Sequence, residues 1–328
     1  MVPPAPRADG SASGFGALTR NDGDVKISVE FPSVVYREGP AKVLELARAI
    51  DTIGFDDLAM FDHVVMGYPT ETRRAPMYPP RMPILEALVT LGFVAAVTER
   101  VTLSTEVLVL PQRQAVLVAK QVSTLDTLSA GRMRLGVGVG WQEAEYVALG
   151  EDYSRRGRTM DEAIRLLRAA WSDERIDERG ERFHADVIAM EPKPPQAGRL
   201  PIWVGGTAPA ALRRAGELGD GWMGMIAGSD DDVRTMMDAI RAHADAAGRD
   251  PAAIEMQAML APPPNDRGGK DFYADLDRVV ARAEQVRDLG FGWLAVNATA
   301  IFQAGARGVD EMIDRLAAVH GRLREAVG

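Results

Sequence analysis

The sequence predicts an α/β protein, a single (β/α)8 TIM barrel with a small hairpin insertion between its fourth and fifth strands. Three observations predict it. From residue 25 onward, short β-branched or apolar runs alternate with longer segments whose apolar residues recur at helical spacing. The alternation comes round eight times, and strands joined through helices must run parallel. The G-x-G-x-x-G run that an open dinucleotide-binding sheet carries after its first strand is missing here.

Residues 25–31 (VKISVEF) are β-branched and alternating, which makes them strand one. A helix over 41–53 follows, with Val43, Leu46, Ala47 and Ile50 on one face and Gly54 as its stop. Residues 58–65 (LAMFDHVV) form strand two, and 84–97 the second helix. Strand three covers 101–110, and Val118, Val122, Leu125 and Leu128 stripe the helix after it. Strand four is 133–140 (MRLGVGVG), followed by a helix carrying Met160, Ile164, Leu167 and Trp171 at helical spacing.

Residues 174–200 break the rhythm, as a hairpin around Phe183 and 187–190. Strands five to eight then fall at 202–205, 222–225, 254–260 and 293–298, with helices at 208–218, 230–246 and 275–289 between them. A last helix aligns Met312, Leu316, Val319 and Leu323.

The 328 residues, 46% of them hydrophobic, are enough for one large core, and barrels of this class use that much chain as one domain. A net charge of −9 argues against nucleic acid, which needs a basic surface. With no cysteine there is no disulfide framework and no thiolate metal site. No apolar run approaches the ~20 residues that span a bilayer, so no membrane is expected. Residues 1–24 are rich in Pro, Gly, Ala and Ser and lack the apolar centre of a secretory signal. They read as a flexible tail before a barrel over 25–328, and the expected location is the cytoplasm.

Barrels of this kind carry their chemistry at the C-terminal ends of the strands. Strand two ends in Asp62-His63, a carboxylate beside an imidazole, suited to binding a ring and moving a proton near neutral pH. A satisfied structural histidine is the alternative. No paired-histidine metal motif exists, so no metal is expected. Strand four ends Gly136-Val137-Gly138-Val139-Gly140-Trp141; its glycines admit either a ligand or a tightly packed neighbour. Gly205-Gly206-Thr207 leads strand five into a helix, offering free N–H groups to a phosphate, or Thr207 as a simple cap. Two long mouth loops contain Arg73, Arg74 and Arg81, and Gly268, Gly269 and Lys270; they are lids, substrate walls or plain connections.

The block LSTEVLVLPQRQAVLVAKQVSTLDTLSAGRMRLGVGVGWQEAEYVALG (103–150), with EPKPPQ (191–196) and PIWVGGTAPAALRRAGELGDGW (201–222), resembles the luciferase-like monooxygenase family. It is especially similar to the branch that depends on coenzyme F420, a deazaflavin. The resemblance implies a cofactor phosphate tail by Gly205, Gly206 and Thr207, and a ring over a kink in strand three, where the Glu106–Val107 bond would be a non-proline cis peptide. It places Gly138, Gly140 and Trp141 along the cofactor, Asp62 against its ring system and His63 at the hydride-transfer centre.

Sugar-phosphate dehydrogenases of this branch carry a Glu where this chain has Trp141. Glu106 or Glu145 is therefore left to supply a carboxylate to His63, unless Glu106 only braces the kinked strand. The expected activity is hydride transfer between F420 and an unidentified small organic substrate, with His63 as acid or base. The alternatives are an FMN monooxygenase fed by a partner reductase and a non-catalytic flavin-binding barrel. Family members are often homodimers.

Overall fold

A computed structural model describes residues 24–225, 228–262 and 269–328. The tail expected over residues 1–24 lies outside the described residues except for Asp24, and so does Gly268. Eight parallel strands close into a barrel: Lys26–Glu30, Asp57–Met60, Thr102–Thr105 with its continuation Leu108–Val109, Met133–Gly138, Ile202–Gly205, Gly221–Gly224, Glu255–Met259 and Trp293–Asn297. Each pairs with the next, and the ring closes where the first lies along the eighth from Lys26↔Trp293 to Glu30↔Asn297.

The hairpin insertion is present as Ile176–Arg179 against His184–Ile188, antiparallel. Among the described residues, no helix is long and apolar enough to cross a membrane.

The helices form because apolar stripes at helical spacing have a barrel wall to cover. Met160, Ile164, Leu167 and Trp171 are buried along Arg156–Ser172, and Met312, Leu316, Val319 and Leu323 along Val309–Val327. One expected member fails. Val118, Val122 and Leu125 are buried on Ala115–Leu128, but Leu128, at the last turn, is 73% exposed.

Strand two ends at Met60 rather than 65, so Phe61, Asp62 and His63 leave the sheet at the mouth. Strand three is interrupted at Glu106–Val107, a cis peptide, and resumes beside strand four through Leu108↔Val137. Two short helices were not expected: Glu143–Leu149, closed by Gly150 in the left-handed region, and Ala298–Gln303, capped by Asn297.

The barrel interior is not purely apolar. Arg134 lies between the rings of Trp203 and Trp293, 4.0 and 4.5 Å from their centroids. Its guanidinium donates to Asp57 at 2.6 Å and to Gln257 at 3.1 Å, and Ser28 and Ser104 donate to the same Asp57 oxygen. A charge this deep persists because it is paired and stacked. Gln257 in turn donates to Glu106 at 2.8 Å, so the layer reaches the interruption in strand three.

Candidate active site at the barrel mouth

The side chain of Glu145 organises the mouth. It projects from the short helix Glu143–Leu149 and is fully buried, with Tyr146 beside it holding the Val139 carbonyl at 2.6 Å. One carboxylate oxygen accepts from the Val64 and Val65 N–H groups at 2.6 and 3.2 Å; the other lies 3.1 Å from His63 Nδ1 and 3.2 Å from Gln112 Nε2. Burial alone would raise its pKa, but the bonds from His63, Gln112 and Val64 outweigh it and hold Glu145 below the usual carboxylate range. An ionised carboxylate only accepts, so the proton between the two belongs to His63 Nδ1, and Nε2 is left for chemistry.

Aromatic rings surround that imidazole. Trp141 meets it edge-on at 5.3 Å and Tyr78, from the long loop after strand two, at 5.8 Å. Tyr78 is also 6.0 Å from Phe61 and 6.3 Å from Trp141. Gln142 pins the chain opposite, accepting from Gly67 N–H and donating to the Val65 carbonyl. The partner of His63 is thus Glu145, while Glu106 hydrogen-bonds Gln257.

Asp62, adjacent in sequence, has a different job. It is 3% exposed, and its oxygens accept from Val109 N–H at 3.0 Å and from Arg113 at 2.7 Å. Burial pushes its pKa up against those two partners. These bonds tie the resumed part of strand three to the end of strand two.

The glycines of strands four and five accommodate that same segment. A Cβ on Gly138 would meet Val107 Cγ2 at 2.5 Å, one on Gly205 would meet Val107 Cγ1 at 2.9 Å, and one on Gly140 would meet Val109 Cγ1 at 2.6 Å. Packing against strand three accounts for these glycines, with Val107 wedged between two strands.

Beyond Gly205 the backbone is exposed, and Gly206, at φ +112°, passes its carbonyl to Trp222 Nε1 at 2.8 Å. The cap of helix Pro209–Leu218 is Ala208, not Thr207, and no side chain caps it. Pro209 carries no N–H, and the Ala211 and Leu212 N–H groups donate to the Ala208 carbonyl at 2.7 and 3.1 Å, so the first turn offers an anion the Ala210 N–H beside the exposed Gly206–Thr207 backbone.

Residues that sequence patterns did not single out complete the mouth. Glu30 ends strand one, accepting from Asn297 at 3.2 Å and Thr299 at 3.4 Å; burial raises its pKa to about 7. Burial, with Glu30 nearby, raises Glu106 to about 8. Both carboxyls hold protons more tightly when folded than at their ordinary 4.5. Their contribution to stability is therefore full below about pH 4.5 and is lost as pH rises through about 7 to 8. Melting temperature measured against pH should fall across that window, and Glu106→Gln should flatten its upper part.

Of the loop arginines, Arg73 and Arg81 reach Tyr68 at the surface. Gly269 is described and Lys270 only in its backbone.

Three kinds of comparison bear on this arrangement. The family model described as luciferase-like monooxygenase matches residues 14–266. An uncharacterised protein of Mycobacterium tuberculosis is 34% identical over 188 residues, 55% of this chain and 64% of that one. An F420-dependent glucose-6-phosphate dehydrogenase of Nakamurella multipartita is 32% identical over 56% of this chain and 52% of its own length. An FMNH2-dependent dimethylsulfone monooxygenase of Pseudomonas fluorescens is 35% identical over 40% and 36%. The chain thus spans between 36% and 64% of the length of these curated relatives. A solved F420-dependent secondary alcohol dehydrogenase, in complex with an F420-acetone adduct, shares the fold at TM-score 0.73 and 20% identity, over 92% of this chain and 99% of that one.

Proposed function

Because the chain belongs to the luciferase-like monooxygenase family, we propose that it is an oxidoreductase transferring a hydride between coenzyme F420 and a small organic substrate. The observation that carries this reading is His63, fixed through Nδ1 by an ionised Glu145 and walled by Tyr78 and Trp141. A site built around one oriented imidazole suits a reaction in which a proton accompanies a hydride. The relatives named for F420 support the choice of cofactor.

The residues present fit a deazaflavin. Gly206, Thr207 and the uncapped helix start would hold its phosphate. Val107, seated between Gly138 and Gly205, would floor its ring, with Gly140 and Trp141 alongside. When bound, the cofactor supplies or accepts the hydride. His63 Nε2 gives or takes the proton, the aromatic walls exclude water, and Asp62 acts on the cofactor through the Val109 and Arg113 contacts that set the floor. Glu106 holds that floor to the barrel interior through Gln257.

A second reading keeps the fold and uses FMN, reduced by a partner reductase; the dimethylsulfone monooxygenase relative favours it. Fluorescence titration separates the two. Micromolar binding of F420 with FMN binding at least tenfold weaker is expected, and the reverse order would overturn the deazaflavin reading.

We also propose that the chain forms a homodimer through an exposed apolar face. Val89 and Phe93 on helix Ala87–Ala95, with Leu117 and Leu128 on Ala115–Leu128, are large exposed apolar groups on neighbouring helices. Sedimentation should show a dimer, which Leu117→Asp shifts toward monomer.

A further inference from the structure

A cavity of about 300 Å³ opens at the mouth between strands one, two and eight and the loop after strand two. That is the small end of the roughly 300–1,000 Å³ usual for ligand pockets. Phe61, Tyr78 and Met82 stand in its apolar wall, and Glu30, Asn297 and Thr299 are polar residues of its lining. Among its lining residues there is no Lys, Arg or His, and Glu30 is the one carboxylic acid. Glu30 is 8% exposed, and its two protein contacts are long, 3.2 and 3.4 Å. A carboxylate has about four lone-pair sites, so acceptor capacity is left facing the cavity.

We infer that this cavity selects a compact, partly apolar molecule bearing a hydrogen-bond donor, a hydroxyl or an amine, and rejects anions, with Glu30 as the selecting residue. Charge and shape act together in this selection. An anion entering here would meet a buried carboxylate with no cation among the lining side chains, and a like charge at close range in a poorly solvated site is strongly unfavourable. A donor group, by contrast, satisfies Glu30 while its hydrocarbon part covers Phe61, Tyr78 and Met82. Arg73 and Arg81 do not change the balance, since neither lines the cavity and both contact Tyr68 at the surface.

The inference deepens the proposed oxidoreductase reading and rests on it for placing substrate at this mouth. Binding by the cavity itself can be read without any cofactor.

The test uses three probes with one skeleton: benzyl alcohol, benzylamine and benzoate. Their binding to the full-length chain is followed by ligand-observed NMR without cofactor. The measurement is made at about pH 8, above the about-7 value of Glu30. Benzyl alcohol and benzylamine should bind at least about tenfold more tightly than benzoate. Glu30→Gln should bring benzoate within about threefold of the alcohol. Ala300→Leu, which narrows the cavity without touching its charge, should weaken all three probes while their order persists.

Benzoate binding as tightly as benzyl alcohol, or a preference unchanged in Glu30→Gln, would overturn the inference; so would Ala300→Leu leaving every probe unaffected. A chain that binds FMN in place of F420 yet shows this preference keeps the inference and loses only the cofactor reading.

Discussion

His63→Ala is expected to lower kcat by ~10²–10⁴-fold, the range for loss of a positioned acid or base, while cofactor affinity changes little. The asymmetry follows from where the ring sits. His63 contacts Glu145, Tyr78 and Trp141, whereas the glycine turn at 205–207 and the Val107 floor lie on other strands. Glu145→Gln should cost less, since the side chain keeps its shape and an oxygen for the Val64 and Val65 N–H groups. Combined with His63→Ala it should cost nothing further in kcat, because residues that act as one unit are not additive. Steady-state kinetics on the single and double variants, with cofactor titration as control, decide this. Equal additive losses would mean that Glu145 works independently of the imidazole.

The barrel was legible because its evidence is periodic. Each strand is short and apolar, each helix carries a stripe, and these patterns survive without tertiary information. The failures are local and have reasons. VTLSTEVLVL reads as one strand over 101–110; the cis bond at Glu106–Val107 was expected from the family resemblance and is present, but nothing in the segment's own residues marks it. The mark lies on the neighbouring strands, where Gly138 and Gly205 leave the room that Val107 occupies. Helix Glu143–Leu149 spans seven residues, too few for a stripe to declare itself. Leu128 matched the spacing of Ala115–Leu128 but falls where the helix ends and the wall no longer covers it.

For the site, sequence position showed which residues reach the mouth but not what each one touches. Asp62 and His63 are adjacent, yet one braces strand three and the other faces the aromatic wall. Trp141 stands where the resemblance implies a carboxylate, and the carboxylate comes instead from Glu145, four residues further along in the helix Glu143–Leu149. Only the fold brings positions 63 and 145 together, which is why Glu145 and Glu106 could not be separated beforehand. Glu30 left one trace, the acid that ends the polar set Lys26, Ser28 and Glu30 alternating with the apolar residues of the first strand.

Gly136→Ala should be the most damaging conservative change in the barrel. A Cβ at that position would overlap the backbone carbonyl oxygen of Thr105 and press on Met223 Sδ at 2.7 Å. A backbone atom cannot rotate aside, and Thr105 is itself fixed by its hydroxyl, which donates to the Gly136 carbonyl at 2.6 Å. The loss of stability should reach or exceed the upper end of the ~1–3 kcal/mol that overpacking costs. Gly138→Ala meets a side chain instead, Val107 Cγ2 at 2.5 Å, and a β-branched residue between two strands yields only by moving as a whole. That variant should therefore fold with a smaller penalty and show its defect in cofactor affinity, because the displaced residue is the proposed floor of the ring. Urea denaturation together with cofactor titration distinguishes the two. If Gly138→Ala bound cofactor normally, Val107 would not be that floor; if Gly136→Ala were as stable as the parent, the close approach of strands three and four would be looser than the structure shows.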